Sequence, residues 1–281
     1  MSIDMKKIVY SGIADIGYGR TVNEDYMQVA PLDEYVILAI IADGTASHNN
    51  ELQPAMIVVN EIKSYVTQMY KYPSFFTENT KDILKDAILS ANRIIAAFKM
   101  GNDEFFSGYA ASVTAVVIDS RNNNLSFAHC GNTRLYLVRD KVGKDIAPIP
   151  TIRQLTKDHT KAQLLVDNGT ILDTDYYFHP CRLEMTSGVG IVTNPMIQTF
   201  SADIQNRDLF LMSTDGIHYA IKQDALCNII CQSNNCDIGV NQLVQTAKEL
   251  KNIDNMSAII LFNGEQKEKD EYSSAHRSHD K

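Results

Sequence analysis

Residues 35–44 read Tyr-Val-Ile-Leu-Ala-Ile-Ile-Ala-Asp-Gly. The run from Tyr35 to Ala42 is apolar at every position, with no polar side to turn toward water. A short run of this kind, bounded by a turn signal, predicts a strand buried on both faces. Asp43-Gly44 supplies that signal and predicts the end of the strand. The same junction of apolar strand and acid recurs along the chain. Glu24-Asp25 lies between a first alternating segment, Lys7 to Ala14, and the next strand. Asp215-Gly216 follows Leu209 to Ser213, and Asp254-Asn255 precedes Met256 to Phe262.

The rest of the order follows from periodicity. The first strand runs into a glycine turn at Gly17-Tyr18-Gly19. Two helices are predicted after the Asp43 strand. In Gln53 to Tyr70, Pro54 suits a first turn and Ile57, Val58, Ile62, Tyr65, Val66 and Met69 share a face. In Lys81 to Lys99, Ile83, Ala87, Ala91, Ile94 and Phe98 do so, with Asn79 or Thr80 as N-cap. Ser112 to Asp119, Leu125 to Cys130 and Leu135 to Arg139 are β-rich and divided by turn residues, which predicts an antiparallel meander. A short helix, Lys161 to Asp167, and a helix near Val240 to Leu250 complete the pattern. Asp140 to Arg153 and Asp173 to Arg182 are expected to be loops. Segregated strands and helices imply an α+β fold with antiparallel sheets. One domain is expected over 1–263, followed by a polar, disordered tail over 264–281.

Composition removes several classes. The chain has 281 residues, 44% hydrophobic and 21% charged, with a net charge of −8. That suits a sizeable core and argues against a broad nucleic-acid surface. Met1 to Tyr10 carries Asp4, Lys6 and Lys7, unlike a signal peptide. No run approaches the roughly 20 apolar residues that cross a bilayer. The five cysteines form no CxxC pair. They are read as reduced core residues of a cytoplasmic protein.

If the four strand ends are neighbours, their acids converge and repel one another. Hard divalent cations remove that penalty. Mg²⁺ and Mn²⁺ prefer oxygen ligands, and a pair of ions can acidify a water and clamp a phosphate. Each Asp-Gly or Asp-Asn alone is an ordinary turn.

Six segments, in order, resemble motifs of the PPM family, the metal-dependent PP2C-type Ser/Thr protein phosphatases. They are Arg20-Thr21-Val22-Asn23-Glu24-Asp25, Ile41-Ala42-Asp43-Gly44, Gly131-Asn132-Thr133-Arg134, Leu155-Thr156-Lys157-Asp158-His159, Ser213-Thr214-Asp215-Gly216 and Asp254-Asn255-Met256-Ser257. The resemblance covers about Ser11 to Phe262. It implies two antiparallel sheets packed face to face with helices outside, and a site for two Mg²⁺ or Mn²⁺ ions at one end. Asp43 would bridge both ions, with the Gly44 carbonyl on one and Asp215 and Asp254 on the other. Glu24 would lie nearby, Asp25 behind, and Arg20 would grip the substrate phosphate. The nucleophile would be a hydroxide bridging the ions. Asp158 and His159 are read as structural, capping the helix at Lys161, and His129 as packed or edge-exposed rather than a ligand.

Some positions depart from the family pattern. Thr45 stands where some members place a histidine after Asp-Gly, with His48 the nearest replacement. Asn132 and Ala110 stand where family acids hold a third cation, so a third site is expected to be weak or missing. The implied function is a phosphoserine/phosphothreonine protein phosphatase opposing a Ser/Thr kinase, monomeric, with no nucleic-acid or membrane partner. The rival is an inactive phosphoprotein-binding regulator.

Overall fold

A computed structural model describes residues 8–45, 53–100, 108–143 and 146–264. The strands are β1 (Ile8–Asp15), β2 (Asp25–Pro31), β3 (Val36–Thr45), β4 (Ala110–Asp119), β5 (Asn124–Cys130), β6 (Arg134–Gly143), β7 (Ile146–Gln154), β8 (Gln198–Asp203), β9 (Leu209–Ser213) and β10 (Met256–Asn263). The helices are α1 (Pro54–Met69), α2 (Pro73–Met100), α3 (Lys161–Asp167), α4 (Asp215–His218), α5 (Gln223–Gln232) and α6 (Cys236–Glu249). Two 3₁₀ turns, Asp173–Phe178 and Pro180–Leu183, follow α3.

Two five-stranded sheets result, in the orders β1-β10-β9-β6-β7 and β2-β3-β4-β5-β8. Every pairing between these strands is antiparallel. The apolar run in β3 lines two of the three layers of core. Ile37, Ala39 and Ile41 face the other sheet, among Phe127, Phe210, Met212 and Ile259. Val36, Leu38, Ile40 and Ala42 face α1 and α2, against Val58, Ile62, Leu84 and Ile88. Burying a side chain of isoleucine size is worth about 1.5–3 kcal/mol. A strand charged on either face would forfeit one of these layers. On the outer side of the other sheet, α5 and α6 bury Leu226, Ile230, Val240 and Leu243 on Leu211 and Ile260.

The α+β sandwich expectation holds, and several local ones change. β3 does not stop at Asp43-Gly44, because β4 continues beside it, pairing Asp43 with Ser112 and Thr45 with Ala110. The helix expected from Lys81 begins at Pro73, with a break at Asn79 (φ −121°, ψ 16°). Asn79 and Thr80 cap nothing; both side chains donate backward, to the Phe75 and Phe76 carbonyls. Within the expected loop over 140–153, residues 140–143 and 146–153 are instead strand, in the paired arms of β6 and β7. Thr160, not Asp158 or His159, caps α3, its hydroxyl accepting from the Gln163 N–H. His129 is packed inside rather than exposed at an edge, bonded to Thr114 Oγ1 and the Gly131 carbonyl. His48 and the tail from 265 lie outside the described residues.

Asp158 has a larger role than a cap. It receives Nε and Nη2 of Arg134 at 3.0 and 2.7 Å, and the Tyr176 hydroxyl at 2.5 Å. Arg134 Nη1 donates to the hydroxyls of Tyr136 and Tyr177. Its guanidinium lies 5.4–5.6 Å from the ring centres of Tyr176, Tyr177 and Tyr219. Both charged groups are only 2% exposed, so removal of one leaves the other buried without its partner. Asp158→Ala is therefore expected to lower stability by about 3–5 kcal/mol in urea unfolding. A loss under about 1 kcal/mol would show that this pair does not anchor β6 to the 3₁₀ turns.

Candidate metal centre

The predicted acids come together at one end of the sandwich. Asp25 opens β2 and lies directly across from Asp43 near the end of β3. Asp215 opens α4 immediately after β9, and Asp254 lies just before β10. β9 and β10 are neighbours, with Ser213 opposite Ala258. Each acid thus sits at the end of a core strand, with Asp43, Asp215 and Asp254 partly exposed and Asp25 buried.

Two glycines let the loops close on one another. Gly17 has φ +77°, and a Cβ there would lie 1.9 Å from the Asp254 carbonyl oxygen. A Cβ on Gly216 would lie 1.9 Å from the Asn255 carbonyl oxygen. Any side chain at either position would push apart the turns that carry Arg20, Asp215 and Asp254. Asn255 ties the same turns by side-chain bonds. Its Nδ2 donates to the Ile16 and Val22 carbonyls at 2.7 and 3.1 Å. Its Oδ1 accepts from the Glu24 N–H at 2.9 Å.

Asp25 is buried beneath the site, its Oδ2 accepting from Thr214 Oγ1 at 2.8 Å. Thr214 also accepts from the Ser257 N–H, joining β2, β9 and β10 in one network. Asp43 and Asp215 are half-buried and share a hydrogen bond. Asn132 donates to Asp215 from 3.4 Å. The backbone N–H groups of Asn132 and Thr133 are held by Ser112 Oγ at 2.7 Å each. Asp254 accepts from Arg20 Nη2 at 2.7 Å, and Arg20 Nη1 lies 3.7 Å from Glu24. Arg20 was expected to grip a phosphate; here its guanidinium lies between two acids at the rim. Thr214, Ser112 and the bridging role of Asn255 were not singled out from the sequence. Thr214 falls inside a quoted motif that gives it no such role, and the sequence reading gives Asn255 only the stabilisation of its own turn, which the bonds to Ile16, Val22 and Glu24 extend.

The electrostatics follow from burial and like charge. Burial, with the charges of Asp215, Asp25 and Asp254 added, pushes the Asp43 carboxyl well above the usual range. Asp25 is pushed up to about 7 and Asp215 to about 6, burial again being the largest cause. Among the described residues, no three His, Cys, Asp or Glu side chains form a ready-made cage for an ion. The donor set is nonetheless all oxygen, and its charges are undercompensated, which fits hard divalent cations.

Raised carboxyl pKa values favour the folded state below about 4, and the benefit fades as pH rises through the folded values near 6 to 7. In EDTA, the wild type is expected to lose stability relative to Asp43→Asn as pH rises from about 4 to about 7. Mn²⁺ should erase that difference or reverse it. Parallel stability-against-pH curves for the two proteins in EDTA would contradict this reading.

No family model matches the chain. A putative protein phosphatase 2C-type from Streptococcus pyogenes is 25% identical over 252 residues, 89% of this chain and 95% of that protein. The serine/threonine protein phosphatase PstP of Mycobacterium tuberculosis is 24% identical over 254 residues, 89% of this chain and 44% of PstP. Crystallised PstP/Ppp from the same bacterium superposes with a TM-score of 0.76 at 21% identity, covering 92% of this chain and all of that one (100%). The PstP catalytic domain in complex with two manganese ions superposes with a TM-score of 0.72 at 20% identity, covering 92% and 99%. The PPM resemblance is thus matched by relatives along nearly the whole chain, and the fold is that of the bacterial PP2C-type Ser/Thr phosphatases.

Proposed function

We propose that this chain is a Mn²⁺- or Mg²⁺-dependent protein phosphatase that hydrolyses phosphoserine and phosphothreonine. The observation that carries the reading is the gathering of Asp25, Asp43, Asp215 and Asp254, each acting on the charge of others, at one end of a PP2C-like sandwich. Asp43, Asp215 and Asp254, with Glu24 and the Gly44 carbonyl, would hold two ions. The chemistry such a pair supplies when bound is an acidified water and neutralisation of the phosphoryl oxygens.

The chain's own residues do the positioning. Thr214 donates to Asp25 from beneath, which ties the strand end opposite Asp43 to the turn that carries Asp215. Arg20 is preset at the rim by Asp254 and Glu24, and its planar fork suits a phosphate dianion. Substrate capture would draw it off Asp254. Asn132 offers an amide where an acid would hold a third cation, so two strong positions are proposed. The substrates would be phosphoproteins of a Ser/Thr kinase. No helix among the described residues is long and apolar enough to cross a membrane, and a cytoplasmic monomer is the arrangement proposed.

Phosphate release from a phosphothreonine peptide should require Mn²⁺ or Mg²⁺ and vanish in Asp43→Ala. Full turnover in excess EDTA would contradict the proposal, and tight peptide binding without turnover would make the chain the silent regulator instead. Arg20→Ala should raise KM by about tenfold or more, the scale of a lost charged hydrogen bond. An unchanged KM would remove Arg20 from substrate binding. Calorimetric titration with Mn²⁺ should show two tight sites in the wild type, with a third gained in Asn132→Asp. A third tight site already in the wild type would refute the assigned role of Asn132.

A further inference from the structure

Cys227 and Cys231 lie one helical turn apart on α5, with their sulfurs 4.0 Å apart. Residues at i and i+4 share a helix face. Cys227 is buried and Cys231 exposed, so the pair has one sealed side and one open side. Cys231 lines a cleft of about 360 Å³ together with Asp140, Arg207 and Cys236, and none of the acids of the candidate metal centre lines it.

The spacing suits one kind of chemistry better than another. A disulfide needs its sulfurs about 2.05 Å apart, roughly half the distance present. A thiolate sulfur bonds Zn²⁺ at about 2.3 Å. Two such bonds to sulfurs 4.0 Å apart enclose an angle of about 120°, close to the range of a tetrahedral or trigonal ion. The surrounding charge points the same way. Desolvation of the sulfurs raises both thiols above their usual range, less sheltered though Cys231 is, and Asp140 adds to this at each, with Asp224 adding to it at Cys227. Neighbouring carboxylates that disfavour a bare thiolate favour a cation in its place.

We propose that Cys227 and Cys231 form a two-thiol site for a soft divalent cation such as Zn²⁺ or Cd²⁺, separate from the carboxylate centre. Binding forms two metal–sulfur bonds and breaks two S–H bonds, and both protons pass to solvent. No oxidant is needed. Ligand softness sorts the ions between the two ends of the molecule: Mg²⁺ and Mn²⁺ to the acids, thiophilic ions to α5.

The test is titration of the full chain with Cd²⁺ in the presence of excess Mg²⁺, following the ultraviolet thiolate-to-cadmium charge-transfer band and the protons released. Carboxylates give no such band, so cadmium at the acidic site stays silent. The wild type should saturate at about one ion and about two protons per chain, and its melting temperature should rise. Cys231→Ser, at an exposed position, and Cys227→Ser should each lose most of the band. Cys181→Ser and Asp43→Asn should keep it. A wild type without the band, or a band that survives Cys231→Ser or disappears in Cys181→Ser, would overturn the site.

Discussion

Mutual repulsion of acids held at the end of a rigid sandwich is the constraint around which this molecule is organised. Asp25, Asp43, Asp215 and Asp254 would separate if their loops were free. They are kept together because core packing of β2, β3, β9 and β10 fixes the strand ends that carry them. The hydrophobic layers therefore hold the electrostatic cost of the site. The protein answers that cost locally with a hydrogen bond shared between Asp43 and Asp215, with Thr214 on Asp25, and with Arg20 between Glu24 and Asp254. A pair of divalent cations would answer it more fully, and this links fold stability to the proposed chemistry.

The loops that close the site are joined by backbone approach as much as by charge. Gly17 against Asp254 and Gly216 against Asn255 allow contacts that any Cβ would prevent. Asn255 then fastens the β1–β2 turn to the start of β10 through three hydrogen bonds. Deeper in the fold, Arg134 and Asp158 with their tyrosines anchor the segment after β7 to β6. The site is thus braced from both sheets.

Much of this was legible in the residues. The double-faced burial of β3 follows from its uninterrupted apolar run, and the position of each acid at a strand end is plain in the sequence, whereas their convergence depends on which strands are neighbours. Less was legible where local signals compete with tertiary pairing. Asp43-Gly44 is a turn pair in isolation, yet β4 holds it in the ladder. The β6–β7 hairpin was hidden because residues 140–153 mix charge and proline with the apolar positions. β8 went unseen because its edge strand, Gln198–Asp203, is mostly polar and half-exposed. Asp158 was recognised as structural, but not its partner, since no local pattern reveals a pairing with Arg134 across 24 positions. The thiol pair on α5 escaped because helical spacing, not CxxC spacing, brings its sulfurs together.

The central claim is that Asp43, Asp215 and Asp254 share one pair of hard cations. Crystals grown with manganese, and diffraction collected on both sides of the manganese absorption edge, address it directly. Two anomalous peaks are expected, about 3.5–4 Å apart, with Asp43 between them. Well-ordered density for all three side chains with no peak among them would contradict the account.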